Sequence, residues 1–123
     1  MNLSPFFKSI VDQDDAPVVI CDTMHIVVYM NPAAIEEYSE RGGAGIIGLH
    51  IFDCHSGKSN EIIRKVVDWF ASSKDHNKVH TFYNNLQNKD VYMIALRNDE
   101  GELIGYYEKH EYRNRDQSGF YEF

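Results

Sequence analysis

Tyr29-Met30-Asn31-Pro32-Ala33-Ala34 joins the end of an apolar run to the start of a helix. Asn31 can accept a hydrogen bond from the orphan amides of a first helical turn, and Pro32 falls where a missing N–H costs nothing and a fixed φ helps. Ahead of it, Ala16 to Asp22 and His25 to Met30 are apolar stretches separated by Thr23-Met24, the pattern of two short strands around a tight connection. Strand, turn, strand and capped helix is the unit from which the rest of the chain is read.

Downstream of that helix, which includes Ile35 and Tyr38, three of the four residues Gly42-Gly43-Ala44-Gly45 are glycine. Their backbone entropy is too costly inside a helix, so a loop is expected. Ile46 to His55 is dense in apolar residues. A longer helix follows, capped by Ser56 or Ser59, with Ile62, Ile63, Val66, Val67 and Phe70 forming one broad apolar face. Before the opening strands, Ser4-Pro5 followed by Phe6, Phe7, Ile10 and Val11 predicts a short amphipathic helix.

The last third reads as strands. Val79 to Tyr83, Val91 to Leu96 and Leu103 to Tyr107 are separated by the polar turns at Gln87-Asn88-Lys89-Asp90 and Asn98-Asp99-Glu100-Gly101, which predicts an antiparallel meander in an α+β fold. In Val91 to Leu96 one face carries Val91, Met93 and Ala95 and the other Tyr92, Ile94 and Leu96, so neither side is polar. Both sheet faces should therefore be covered. The helices after Asn31 can cover one. The N-terminal helix, or the same surface of a second subunit, is left for the other, and a homodimer is expected.

Composition narrows the function. A chain of 123 residues, 43% hydrophobic, supports one core and hence one domain. With 12 Lys and Arg against 19 Asp and Glu, the net charge of −7 disfavours nucleic acid and anionic membranes as partners. No stretch approaches the roughly 20 apolar residues that span a bilayer, and the first residues lack the pattern of a secretory signal, so a cytoplasmic location is expected. Cys21 and Cys54 are the only cysteines, and both are expected to be reduced.

The order of elements resembles the PAS domain family: two strands, a cluster of short helices, one longer helix, and three strands that complete a five-stranded antiparallel sheet. The resemblance spans about residues 14–112, with residues 1–13 as an N-terminal helix and 113–123 as a polar tail. It rests on Asp22, on Tyr29 to Ala34, on Ile47-Gly48-Leu49-His50-Ile51-Phe52-Asp53, and on Asn98 to Tyr106. Phe52-Asp53-Cys54-His55 with Ser59, and Gly105 to His110, are also similar to a group of short bacterial PAS proteins. The resemblance implies a non-enzymatic sensor and interaction module in signal transduction. It further implies a small ligand between sheet and helices, and frequent dimerisation. No kinase, cyclase or DNA-binding segment follows the polar tail, so output through contact with another protein is expected.

The resemblance also carries tests of the ligand. Flavin-photosensing members place a reactive cysteine three residues after the glycine that matches Gly48, where this chain has Ile51, so flavin photochemistry is disfavoured. The chromophore-anchoring cysteine of photoactive yellow protein has a spacing that Cys54 does not match. Heme-binding members use a histidine on or near the longer helix. His55 stands just before it, which makes a heme-based gas or redox sensor the alternative reading. Cys54 beside His55 invites a lowered thiol pKa, but adjacent side chains usually diverge and a small buried cysteine is the better account. No second Cys/His pair accompanies them at ligand spacing, so no metal site is expected.

Gly57-Lys58-Ser59 lacks the earlier glycine of a phosphate loop, with Phe52 in its place, and reads as a helix start. Asp53, His55 and Ser56 are too close in sequence to converge as a triad. A second alternative, a small cone-shaped α+β enzyme, needs an ionisable group among the apolar strands, and His80 is the one candidate. The expected site is an apolar ligand pocket near Ile51, Phe52, Ile63, Val67, Phe82 and Met93. His55 joins them only under the heme alternative. The same residues would equally serve as ordinary core.

Overall fold

Asn31 is fully buried, and its side chain makes four hydrogen bonds. Its Oδ1 accepts from the backbone N–H of Ala34 and of Val18, each at 2.9 Å. Its Nδ2 donates to the carbonyls of Val11 at 2.9 Å and Ala16 at 3.0 Å. One amide thereby joins the end of the N-terminal helix, the lead into the first strand and the first turn of the next helix.

The computed structural model describes residues 1–54, 56–121 and 123. Helix α1 (Ser4–Asp12) precedes the hairpin β1 (Val19–Asp22) and β2 (Val27–Met30). Asp22 closes that hairpin by accepting from the N–H of Met24 at 2.9 Å and of Ile26 at 3.0 Å. Helix α2 (Pro32–Glu37) follows, then three single 3-10 turns at Ser39–Arg41, Gly43–Ile46 and Ile51–Cys54. Helix α3 (Gly57–Ser72), capped by Ser56, leads into β3 (Lys78–Asn84), β4 (Lys89–Arg97) and β5 (Leu103–Tyr112). The five strands form one antiparallel sheet in the order β2-β1-β5-β4-β3.

Three details differ from the sequence reading. The glycine-rich stretch folds into a 3-10 turn, Gly43–Ile46, rather than an open loop, with Gly42 at a φ of 120° where a side chain would be strained. Strand β5 runs five residues beyond the expected Tyr107, because Glu108, His110 and Tyr112 continue the pairing opposite Met93, Val91 and Lys89. Helix α1 buries none of its residues. Its last turn lies along the outer sheet face, where Ile10 and Val11 line a groove with Val18, Ile20, Leu96 and Tyr107. The helix covers a strip of that face and leaves its own Leu3, Phe6 and Phe7 exposed.

The inner face is packed against α3. Val66, Val67 and Phe70 meet Val27, Met30 and Met93 in a single buried cluster, with Phe70 wholly enclosed. The free edge of β2 is covered by the chain after the second 3-10 turn: Gly48 N–H donates to Val27 O, and Val27 N–H to Leu49 O. At the centre, a β-carbon on Gly105 would overlap the carbonyl of Cys21, so β1 and β5 approach closely only because that residue is glycine.

Candidate functional site

The inner face does not close completely. Between it and the helical cover lies a cavity of about 380 Å³. Its floor is built by period-two alternation: Val19 and Cys21 of β1, Met30 of β2, Met93 of β4, and Tyr106, Glu108 and His110 of β5. The cover contributes Ile46, Leu49 and Ile51 from the 3-10 turns and their connection, and Ile63 from α3. Pro17, Tyr38, Arg41, Asp53 and Cys54 complete the lining. The body of the cavity is thus apolar, and polar groups enter from β5 and from the turns facing it.

Burial sets the protonation of these groups. It pushes the Cys21 thiol up to about 11, so the sulfur stays protonated and a poor nucleophile. Burial likewise pushes the Tyr38 hydroxyl up to about 12, with the negative charge of Glu108 adding to the effect. The Tyr106 hydroxyl is raised by burial and by the neighbouring Cys21, and lies 2.8 Å from His25 Nδ1. His25 itself is held below the usual histidine range by burial, with the nearby His50 and Arg64 adding to the effect. All of these side chains serve as neutral hydrogen-bonding or packing groups near neutral pH.

His110 is different. Its side chain is 6% exposed, its Nε2 stands 3.3 Å from Glu108 Oε1, and its Nδ1 has no hydrogen-bond partner among the described residues.

Of the residues expected at the site, Ile51, Ile63 and Met93 line this cavity. Val67 lies in the packed core beside it. Phe52 turns away and stacks on His25, centroids 4.6 Å apart, beneath the Arg64 guanidinium. Phe82 is 57% exposed, on β3 at the edge of the sheet. His55, on which the heme alternative rests, lies outside the described residues. His80, the one candidate base, sits on that same edge strand 2.9 Å from Asp90 rather than in an apolar interior. Cys21 and Cys54 are both free thiols. Among the described residues, no group of three or more His, Cys, Asp or Glu side chains is placed to hold a metal ion.

Glu108 and His110 were missed as site residues. Their signal was present: they alternate with Tyr107 and Lys109 in phase with Tyr106, and continuing the strand would have placed both on the inner face.

Solved structures share this architecture. A C-terminal domain from Streptococcus mutans aligns at TM-score 0.68 and 19% identity, over 86% of this chain and 81% of that one. A PAS domain from Colwellia psychrerythraea aligns at TM-score 0.65 and 10% identity, over 91% of this chain and 98% of that domain. The PAS domain of BvgS from Bordetella pertussis aligns at TM-score 0.62 and 14% identity, over 90% of this chain and 86% of that one. This chain has the PAS fold. No protein-family model matches the chain, and no curated protein does. No helix among the described residues is long and apolar enough to cross a membrane.

Proposed function

We propose that this PAS domain is a sensory and interaction module in signal transduction, which holds a small, largely apolar ligand between α3 and the sheet and acts through protein–protein contacts. The observation that carries the reading is the cavity of about 380 Å³ on the inner face. Protein interiors normally close such spaces, because side chains facing a void forfeit their dispersion contacts. A space of this size, apolar in its body and polar at a few points, has the character of a small-molecule site. Binding is favoured over catalysis because burial keeps the Cys21, Tyr38 and Tyr106 groups protonated and unreactive. The exposed apolar residues of α1 support self-association as the route of contact.

Native mass spectrometry of the protein purified from its own host tests this reading, since one spectrum reports retained ligand mass and subunit number. A dimer carrying a small organic mass is expected. A bare monomer would remove both the ligand and the dimer. A heme mass, with a Soret band in the absorbance spectrum, would replace the apolar ligand by heme.

A further inference from the structure

The polar lining of the cavity narrows the ligand further, on the premise that the cavity is a ligand site. His110 lines it from β5, near the end of the sheet where it also borders the groove beside Ile10 and Val11, with its side chain 94% removed from solvent. The ring pairs with Glu108, whose Oε1 is 3.3 Å from Nε2. An ionised carboxylate has only lone pairs to offer, so the nitrogen that faces it carries the proton; the tautomer is assigned from this neighbour. In the neutral ring Nδ1 is then a bare acceptor. It finds no donor among the described residues, and a buried acceptor without a donor is a costly arrangement for a protein to keep.

We infer that the ligand of this cavity is a small, mostly apolar molecule bearing an N–H or O–H group that donates to Nδ1 of His110. The remaining charges agree with a donor rather than an anion. Two carboxylates, Asp53 and Glu108, line the cavity against the single guanidinium of Arg41, so an acidic head group would meet more repulsion than attraction. Ile46, Leu49, Ile51, Ile63 and Met93 supply the apolar wall along which the rest of the molecule would lie. A site of this kind discriminates sharply: an analogue of the same shape without the donor leaves Nδ1 unpaired and brings a second lone pair against it.

Indole and benzofuran form a suitable probe pair, matched in shape, with an N–H in one replaced by an ether oxygen in the other. Both are titrated into the isotope-labelled protein and followed by two-dimensional amide NMR. Indole is expected to bind about ten-fold more tightly than benzofuran, with the largest shifts along β5. In His110→Leu, which fills similar space with no acceptor, the preference is expected to fall to about two-fold or less while benzofuran binds at least as well as before. Equal affinities in the unaltered protein would overturn the donor inference and leave the cavity reading standing. Retention of the indole preference in His110→Leu would overturn the assignment to this residue. If neither probe binds at millimolar concentration, the cavity reading fails and takes this inference with it. If the variant does not fold, the His110 ring nitrogens of the unaltered protein, followed in the same titration, make the assignment, and an Nδ1 signal that does not respond to indole would overturn it.

Discussion

At the scale of single residues, Asn31 shows how much structure one amide can organise. Replacing it with alanine strands two N–H groups, at Val18 and Ala34, and the Ala16 carbonyl, and leaves the Val11 carbonyl with only the 3.3 Å bond from Asp14 N–H, around a side chain fully shielded from water. Unsatisfied buried groups, the lost helix cap and the vacated volume each carry a penalty. Asn31→Ala is expected to lower unfolding free energy by about 3 kcal/mol, read from urea midpoints. Asn31→Asp keeps both acceptor bonds but turns lone pairs toward the Val11 and Ala16 carbonyls, so it should not rescue stability at pH 7. A loss below about 0.5 kcal/mol for the alanine variant, the range of ordinary surface changes, would show that water or local movement replaces the network. Part of this role was legible in the sequence. Asn31 before Pro32 is a local signal for a helix cap, and Ala34 is three positions away. Val18, Ala16 and Val11 lie 13 to 20 positions earlier, where no spacing rule reaches.

At the scale of elements, the same contrast separates α3 from its ending. The apolar face of α3 was readable because Ile63, Val67 and Phe70 recur at helical intervals. Its stop was not, because Ser72 Oγ and His76 bind the Trp69 carbonyl locally while the Phe70 carbonyl and those just past the helix are satisfied from across the fold. Arg97, at the end of β4, donates through Nη2 to the carbonyls of Phe70 at 2.7 Å, Ser73 at 3.0 Å and His76 at 3.1 Å. Its Nη1 reaches Gly101 O at 3.1 Å and its Nε reaches Asn77 Oδ1 at 2.7 Å. A planar fork with five N–H groups can do this, and an ammonium cannot. Arg97→Lys is therefore expected to cost about 2 kcal/mol and to speed hydrogen exchange at the last turn of α3 and in the Ser73-to-Asn77 connection, with the middle of β4 unchanged. Uniform protection in the lysine variant would assign the helix stop to packing alone. The far half of β5, past Tyr107, was not anticipated in the sequence reading for a related reason. From Glu108 onward its side chains are polar, and polarity argues for solvent, yet the register opposite β4 turns Glu108 and His110 inward and Lys109 and Glu111 outward as a 2.7 Å ion pair. Polar groups inside a cavity break the apolar pattern from which a core is inferred, which is why Ile51, Ile63 and Met93 were reached through apolar periodicity, whereas Glu108 and His110 could be reached only by extending the strand alternation past Tyr107.

At the scale of the whole molecule, α1 has to be reconciled with water. Its C-terminal turn is tied down: Asn31 binds the Val11 carbonyl, Asp12 accepts from the Tyr29 hydroxyl, and Lys8 pairs with Asp12 at 2.6 Å. The helix is therefore held in place while Leu3, Phe6, Phe7 and Ile10 stand 48–69% exposed. An anchored helix with its aromatic residues in solvent gains nothing for a lone chain, whereas the same residues facing their counterparts across a two-fold axis would remove apolar surface from both copies. Half-buried Ile94, Leu96 and Tyr107 lie on the sheet face beside it and extend the area available. Light scattering is accordingly expected to give twice the chain mass of 14.3 kDa at micromolar concentration. Phe7→Glu combined with Ile10→Glu should give the single-chain mass. Because neither side chain contributes to the core of its own chain, the circular dichroism spectrum of the double variant should match that of the unaltered protein, which separates loss of association from loss of fold. A dimer that survives both substitutions would place the contact elsewhere, and a monomer before any substitution would leave the apolar face of α1 to a partner of a different kind.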